Sequence, residues 1–371
     1  METCKTDSTA PNGMIRQDPR NSIHGWFFSE AELRSVLANG HMINPSIDLS
    51  NPCNLNCPYC YIEEKASTRK VRRPNELSHD EVVQVITALR ACGAKTINLV
   101  GAGEPTIDPH FEETIELIDG LGMTSVLFTN GIRFATEPAL VRFVQRKNVS
   151  VVLKYNSGDV QTQDIVAGRK GYTVKRDAAL DLFLDAGFNA HEPTRLGIDT
   201  IVFRGNVAEL PAIHRMCREN NIFPIAGEYI PTGRTERGRF QGFGALAGLS
   251  ESERQHVAEL LQPINDGERV ALFSALRVVD KSFGIVAHDH CAYFGGGICT
   301  QILGLYIDIE GNIWPCVARS QFDEHGVTSG WLGNVRQGHS ITDLWASHPF
   351  LRSLRQQYNG ACPYKQPLGG R

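Results

Sequence analysis

Apolar residues recur along this chain in two rhythms. Short runs rich in β-branched and aliphatic side chains at 96–100, 125–128, 150–153, 197–202 and 223–229, after a first run opening at Ile47, predict strands. Between them, apolar positions three and four apart predict helices at 112–118, 137–146, 174–184 and 207–220. The helix before these has a clear start: Ser78 and Glu81 form a capping box, each side chain satisfying the other residue's free backbone donor, and VVQVITALRAC supplies the apolar stripe. Strand and helix alternate about six times from Ile47 to Pro231, which predicts a parallel sheet covered by helices, open or closing toward a barrel. In such folds the loops after the strands' carboxyl ends converge on the functional site.

The regular pattern is framed by less regular chain. An amphipathic stretch at 28–37 lies in a ragged lead-in over 1–43; the alternating core follows over 44–235. A Gly- and Arg-rich connection with a helix near 250–263 occupies 236–282, and a second unit covers 283–371. In that unit LGLYIDIEGNIWPC reads as two short strands about a Glu310-Gly311 turn, and Ser340 with Asp343 predicts a second capping box, opening a helix that runs through Gln357.

Composition narrows the class. With 42% hydrophobic and 21% charged residues in 371, the chain is an ordinary globular one. A net charge of -4 gives no bulk attraction to nucleic acid or anionic lipid, so neither is an expected partner. The polar first residues and the lack of a long apolar run give neither a signal peptide nor a spanning helix, and a reducing cytoplasmic setting is the expectation. The ten cysteines are too sparse for a disulfide-stapled scaffold and have to be read by spacing.

Cys53, Cys57 and Cys60 stand in a C-x3-C-x2-C loop directly after the first strand. Three thiolates so close together suit three corners of an iron-sulfur cubane, leaving one iron open to another ligand; a zinc knuckle would want a fourth ligand close by. Cys4 falls in the lead-in, and Cys92 and Cys217 fall in helix patterns as core residues. The basic run Arg69, Lys70, Arg72 and Arg73 reads as a solvated charge cluster, and Arg204 and Arg234 as surface residues.

This cysteine loop, with the aromatic Tyr59 before its last cysteine, resembles the hallmark of the radical S-adenosylmethionine (radical SAM) superfamily. Gly101-Ala-Gly103-Glu104-Pro105 after the second strand is similar to the family's GGEP motif, with Ala102 a small-for-small departure. The resemblance covers about 47–234 and implies a partial (β/α)6 TIM-like barrel of the α/β class holding a [4Fe-4S] cluster and S-adenosylmethionine. It implies that Cys53, Cys57 and Cys60 hold the catalytic cluster. It further implies cofactor contacts from Tyr59, Gly101, Gly103, Glu104 and Pro105, from Thr129 and Asn130 after the third strand, from Asn156 and Ser157 after the fourth, and from Asn206 after the fifth.

In the second unit, Cys299, Gly311 and Cys316 follow a C-x11-G-x4-C spacing around the hairpin, similar to the auxiliary-cluster domain of the SPASM and twitch subfamilies. The full SPASM pattern has more cysteines than this unit offers. Cys291, Cys299, Cys316 and Cys362 make up the four needed for one auxiliary [4Fe-4S] cluster, with Cys291 supplying the ligand lost after Cys362; His288 and His290 read as a polar loop.

The resemblance implies reductive cleavage of S-adenosylmethionine to a 5′-deoxyadenosyl radical that abstracts hydrogen, with flavodoxin or ferredoxin as electron donor. The leading expectation is an oxidoreductase acting on a small molecule (a sugar, an aminocyclitol or a related natural-product intermediate), with the auxiliary cluster taking the second electron of a dehydrogenation. The alternative is a peptide or protein maturase making thioether crosslinks, epimers or formylglycine. The lead-in, too short for a leader-binding domain, tips the expectation toward the small molecule. A non-catalytic iron-sulfur protein is the alternative of another class.

Overall fold

The computed structural model describes residues 22–60, 62, 71–228, 249–261, 263–264, 279–280, 285–286, 303–315 and 331–356. Six strands form a parallel run: β1 (Ser46–Ile47), β2 (Thr96–Leu99), β3 (Thr124–Thr129), β4 (Val149–Lys154), β5 (Leu196–Val202) and β6 (Phe223–Glu228). Between them stand α2 (His79–Ala91), α3 (Phe111–Gly120), α4 (Ile132–Thr136), α5 (Pro138–Gln145), α6 (Val160–Ala167), α7 (Tyr172–Asp185) and α8 (Leu210–Glu219). The expected mixed α/β fold with a partial barrel is present.

Alternation along the strands separates two cores. Leu127, Val149, Val151, Leu153, Leu196 and Ile198 point outward against the helices. Their neighbours Val126, Val152, Phe223 and Ile225 point into the lumen, where they meet Ile23 and Trp26 of the lead-in. Trp26 lies 5.7 Å from Phe128 and 6.3 Å from Phe223 between ring centroids, and its indole N–H donates to Asn98 Oδ1 at 2.7 Å. Ile23 makes a parallel bridge to Thr194. The lead-in therefore plugs the base of the barrel, and α1 (Glu30–Asn39), started by its own Ser29/Glu32 capping box, packs Leu33 and Val36 into the outer core.

The second unit is joined to the barrel through the sheet. After the short pair β7 (Val279–Asp280) and β8 (Ile285–Val286), strand β9 (Tyr306–Ile307) runs parallel to β1, with Ser46 opposite Tyr306. β10 (Asn312–Trp314) and β11 (Gly333–Asn334) continue the sheet antiparallel, giving the order β11-β10-β9-β1-β2-β3-β4-β5-β6. Gly311 makes the expected turn at φ 82°, and a Cβ there would meet Val335 at 2.7 Å. Tyr306 donates its hydroxyl to the buried Asp48. Arg336 binds Glu81 with both carboxylate oxygens engaged, at 2.7 and 2.6 Å, and reaches the carbonyls of Asn75 and Glu76.

One helix expectation is corrected at a proline. The stretch from Ser340 divides into α10 (Ile341–Ser347) and α11 (Pro349–Gln356), because Pro349 pushes His348 into extended backbone at ψ 122°. The helix expected at 137–146 is present as α5, which starts at Pro138 after the separate α4. The helix near 250–263 is α9 (Glu251–Leu261), whose Val257 and Leu261 pack with Val202 and Ala226. Cys92 and Cys217 are buried, as expected of core residues. Among the described residues, no helix is long and apolar enough to cross a membrane.

Candidate active site at the cysteine loop

The loop from Asn51 to Cys60 lies across the carboxyl ends of the strands, and each successive βα loop fastens a different part of it. After β2, Gly103 N–H donates to Ser50 O at 3.0 Å and Glu104 N–H to Pro52 O at 2.8 Å. The approach is so close that a Cβ on Gly103 would stand 2.0 Å from Pro52 O. After β3, Asn130 Nδ2 donates to Asn54 Oδ1 at 2.7 Å. After β4, Asn156 Nδ2 donates to the Tyr59 hydroxyl at 2.9 Å. The end of α6 completes the frame: Asn56 N–H donates to Ala167 O at 3.1 Å, and Arg169 donates to Asn54 O at 2.9 Å. Gly168 at φ 62° leaves room for Asn56 O, which a Cβ would approach to 2.1 Å.

All three loop thiols are half-buried. Cys53 and Cys57 touch a cluster of Leu55, Ile132, Ala167 and Tyr172, and Cys57 also meets Tyr59, Val166 and Phe203. Burial pushes the Cys57 thiol up to about 12, and the nearby sulfurs of Cys60 and Cys53 add to the rise. Burial likewise raises Tyr59 well above the ordinary phenol value. A site of this kind keeps its thiolates only when a cation compensates them, which is the condition an iron-sulfur cluster meets. Ser50 Oγ and Asn51 Oδ1, both buried at the start of the loop, have no hydrogen-bond partner within the protein.

Two buried carboxylates stand beside this loop: Glu76, which accepts from Asn51 N–H at 3.2 Å, and Glu104. Glu104 Oε1 accepts from the hydroxyls of Thr106 and Thr129, both at 2.6 Å, and from Thr106 N–H at 3.3 Å. Its Oε2 accepts from Asn130 N–H at 2.8 Å. Burial raises its pKa while these donors oppose the rise. A carboxylate so enclosed, with one oxygen carrying a single hydrogen bond, fits a cationic amine such as the amino group of S-adenosylmethionine.

The other expected cofactor residues divide in two. Thr129, Asn130, Tyr59 and Gly103 lie in the frame just described, and Gly101 and Pro105 pack against each other beside Gly103. Asn156, Ser157 and Asn206 are fully buried and their polar atoms are engaged within the protein. Asn206 Nδ2 donates to Asn156 O at 2.7 Å and to Ile201 O at 2.9 Å, while its Oδ1 accepts from Phe203 N–H at 2.9 Å. Asn156 Oδ1 accepts from Ile201 N–H at 2.8 Å, and the Ser157 hydroxyl donates to Glu209 at 2.7 Å. Cys291, Cys299, Cys316 and Cys362, with His288, His290, Arg69, Lys70 and Arg234, lie outside the described residues.

Gln163 and Arg176 escaped the sequence reading. Gln163 Oε1 accepts from the N–H groups of Asn156 and Ser157 and from Arg176. Arg176 is buried with its guanidinium 3.6 Å from the centroid of the Tyr155 ring. The signal was present: Arg176 lies four residues after Tyr172 and three before Ala179, on the buried stripe of α7. Lys154, at the end of β4, pairs with Asp199 opposite it on β5 and sits 5.5 Å from the Tyr59 ring centroid, placing a charged pair in the lumen beside the cysteine loop. Arg72 corrects an expectation. It is no solvated charge but binds Asp108 and the Leu77 carbonyl, with Glu76 at 3.7 Å, because these buried carboxylates lie beside it.

Residues 47–209 match the Radical SAM superfamily. The chain carries a radical SAM domain. That domain implies a [4Fe-4S] cluster and S-adenosylmethionine, and the three converging thiols and Glu104 fit both. Among curated relatives, the mycofactocin maturase MftC of Mycobacterium ulcerans is 27% identical over 322 residues, covering 85% of this chain and 78% of the relative. The sporulation killing factor maturation protein SkfB of Bacillus subtilis is 33% identical over 283 residues, covering 74% of this chain and 60% of the relative. Among solved structures, Streptococcus suis SuiB bound to precursor peptide SuiA superposes with a TM-score of 0.57 at 13% identity, over 88% of this chain and 70% of that one, a likeness of fold.

Proposed function

We propose that this radical SAM enzyme modifies a peptide or protein, abstracting hydrogen from a residue held in the mouth of the barrel. The observation that carries this reading is the similarity to two maturases, MftC and SkfB, over most of the chain. It favours the maturase alternative over the small-molecule dehydrogenation expected from the sequence.

When bound, the cluster and S-adenosylmethionine supply the 5′-deoxyadenosyl radical; the rest of the task falls to the chain's own residues. Cys53, Cys57 and Cys60 hold the cluster in a loop pinned to the strand ends. Glu104 receives the cofactor's amino group, and Thr106, Thr129 and the Asn130 N–H hold the carboxylate in place. Asn156, Asn206 and Ser157 act as the frame that fixes Tyr59 and the β4 and β5 loops. Trp26, Phe128 and Phe223 close the lumen below and keep water from a reactive radical. The Lys154–Asp199 pair gives that chamber polar groups with which to orient a substrate.

The proposal extends to the second unit, where Cys291, Cys299, Cys316 and Cys362 hold one auxiliary [4Fe-4S] cluster. Its support is the Gly311 hairpin, flanked in sequence by Cys299 and Cys316 and paired to the edge of β1. A flavodoxin or ferredoxin is the proposed electron donor.

Deuterium transfer tests the substrate class. Reconstituted enzyme is incubated with deuterated peptides encoded beside its gene, and 5′-deoxyadenosine is analysed by mass spectrometry. Label arriving from a peptide, together with a mass change in that peptide, is the expected result. Label arriving only from an aminocyclitol or sugar would return the function to small-molecule oxidation.

A further inference from the structure

Away from the cysteine loop, two imidazoles and a carboxylate converge at the first turns of α2 and α3. His79 opens α2, His110 stands at the N-cap of α3, and Glu113 lies in the first turn of that helix. Glu113 Oε2 is 3.1 Å from His79 Nε2 and 3.0 Å from His110 Nδ1. The two rings stack with centroids 4.2 Å apart at 19°. The three ligand atoms all lie within 4.8 Å of one another, the one such group of histidine, cysteine and carboxylate ligands among the described residues.

We propose that His79, His110 and Glu113 bind a divalent transition-metal ion of the zinc type, separate from the iron-sulfur chemistry. Two imidazole nitrogens and one carboxylate oxygen are a borderline ligand set that suits zinc better than magnesium or calcium. Tetrahedral bonds of about 2.0–2.1 Å place neighbouring ligand atoms about 3.3 Å apart, so the two imidazole–carboxylate spacings need to open by only a few tenths of an ångström, while the stacked rings must turn for both in-plane lone pairs to meet one ion. Without a metal, Glu113 Oε2 is hydrogen-bonded to His110 Nδ1 while His79 Nε2 only stands in contact with it; an ion would draw on the lone pairs of all three groups. The two helix N-termini oppose a cation, but Asp80, Glu81, Glu112 and Glu113 crowd the same first turns and offset them. Glu113 is exposed and His110 half-buried, leaving water to complete the coordination.

The placement gives the ion a task. α3 follows directly on the turn Pro105–Ile107, which Glu104 caps, and His110 N–H is held by Asp108 at 2.9 Å. A metal tying α3 to α2 would brace the segment that carries Glu104.

The test uses cluster-reconstituted protein and zinc itself. Protein incubated with Zn2+ at neutral pH and desalted is counted for zinc and iron, and zinc X-ray absorption reads the ligand shell. One bound equivalent with a nitrogen and oxygen shell and no sulfur is expected. His79→Ala and His110→Ala should each lose that equivalent while keeping the wild-type iron content and cluster absorption, which shows that they fold. Glu113→Gln, which keeps both imidazoles, should bind more weakly. Equal zinc uptake in wild type and both histidine variants, a sulfur-containing shell, or no uptake by the wild type would overturn the proposal.

Discussion

Gly103→Ala tests whether the Glu104 segment and the cysteine loop form one packed unit. The added methyl would lie 2.0 Å from Pro52 O and 2.4 Å from Asn51 O, more than an ångström inside an ordinary contact of about 3.5 Å. Both obstacles are backbone carbonyls, so no side chain can swing aside. Separating the segments breaks Gly103 N–H to Ser50 O and Glu104 N–H to Pro52 O, a loss of about 2 kcal/mol. Overpacking adds about 1–3 kcal/mol, for a total near 4 kcal/mol. Chemical denaturation should show that loss, and reconstituted protein should hold less iron because Cys53 and Cys57 are displaced with Pro52. Gly120→Ala is the control: at the end of α3 it meets nothing within 4 Å and should be neutral or stabilising by about 0.5–1 kcal/mol. If Gly103→Ala matches wild type in both stability and iron content, the two segments are not packed as described.

Three further outcomes follow from other parts of the site. Asn206→Ala removes three buried hydrogen bonds and should cost about 2–4 kcal/mol in denaturation; a loss of S-adenosylmethionine affinity with an unchanged denaturation midpoint would make Asn206 a cofactor contact instead. Glu104→Gln should weaken S-adenosylmethionine binding by about 10–100-fold, the worth of a charge-assisted hydrogen bond, with iron content unchanged; equilibrium dialysis showing wild-type affinity would remove Glu104 from the cofactor site. Arg336 holds the Glu81 carboxyl down to about 2, so the stability Glu81 contributes is full above its ordinary value and is lost as pH falls toward 2. Partial exposure limits that contribution to about 1 kcal/mol; the stability gap between wild type and Arg336→Ala should be flat above about pH 5 and narrow below it, and a gap that widens on acidification would contradict the pairing.

Local sequence carried the parts of this architecture that depend on local chemistry. The cysteine loop at the end of β1, the Glu104 segment after β2 and the Ser78/Glu81 cap were all readable because spacing and chemistry coincide there. Pro349 was an equally local signal, and the helix break it imposes could have been read from it. What could not be read was long-range. Nothing near Tyr306 announces that it will pair in parallel register with Ser46, or that its hydroxyl will reach Asp48. Nor does the polar lead-in announce that Trp26 will fill the base of the lumen. Arg72 was misread for the same reason, since Asp108, which draws it inward, is 36 residues away. After β4 and β5, Asn156, Ser157 and Asn206 stand where polar residues were expected, and the hydrogen bonds they make within the protein depend on distant partners that local sequence does not announce.

If Cys53, Cys57 and Cys60 hold a cluster that cleaves S-adenosylmethionine, 5′-deoxyadenosine is its product. Anaerobically reconstituted protein is incubated with S-adenosylmethionine and dithionite, and the nucleoside is quantified by chromatography for wild type and Cys57→Ala. 5′-Deoxyadenosine is expected from the wild type and none above background from the variant. Undiminished formation by Cys57→Ala, or none by a wild type loaded with iron and sulfide, would contradict that assignment.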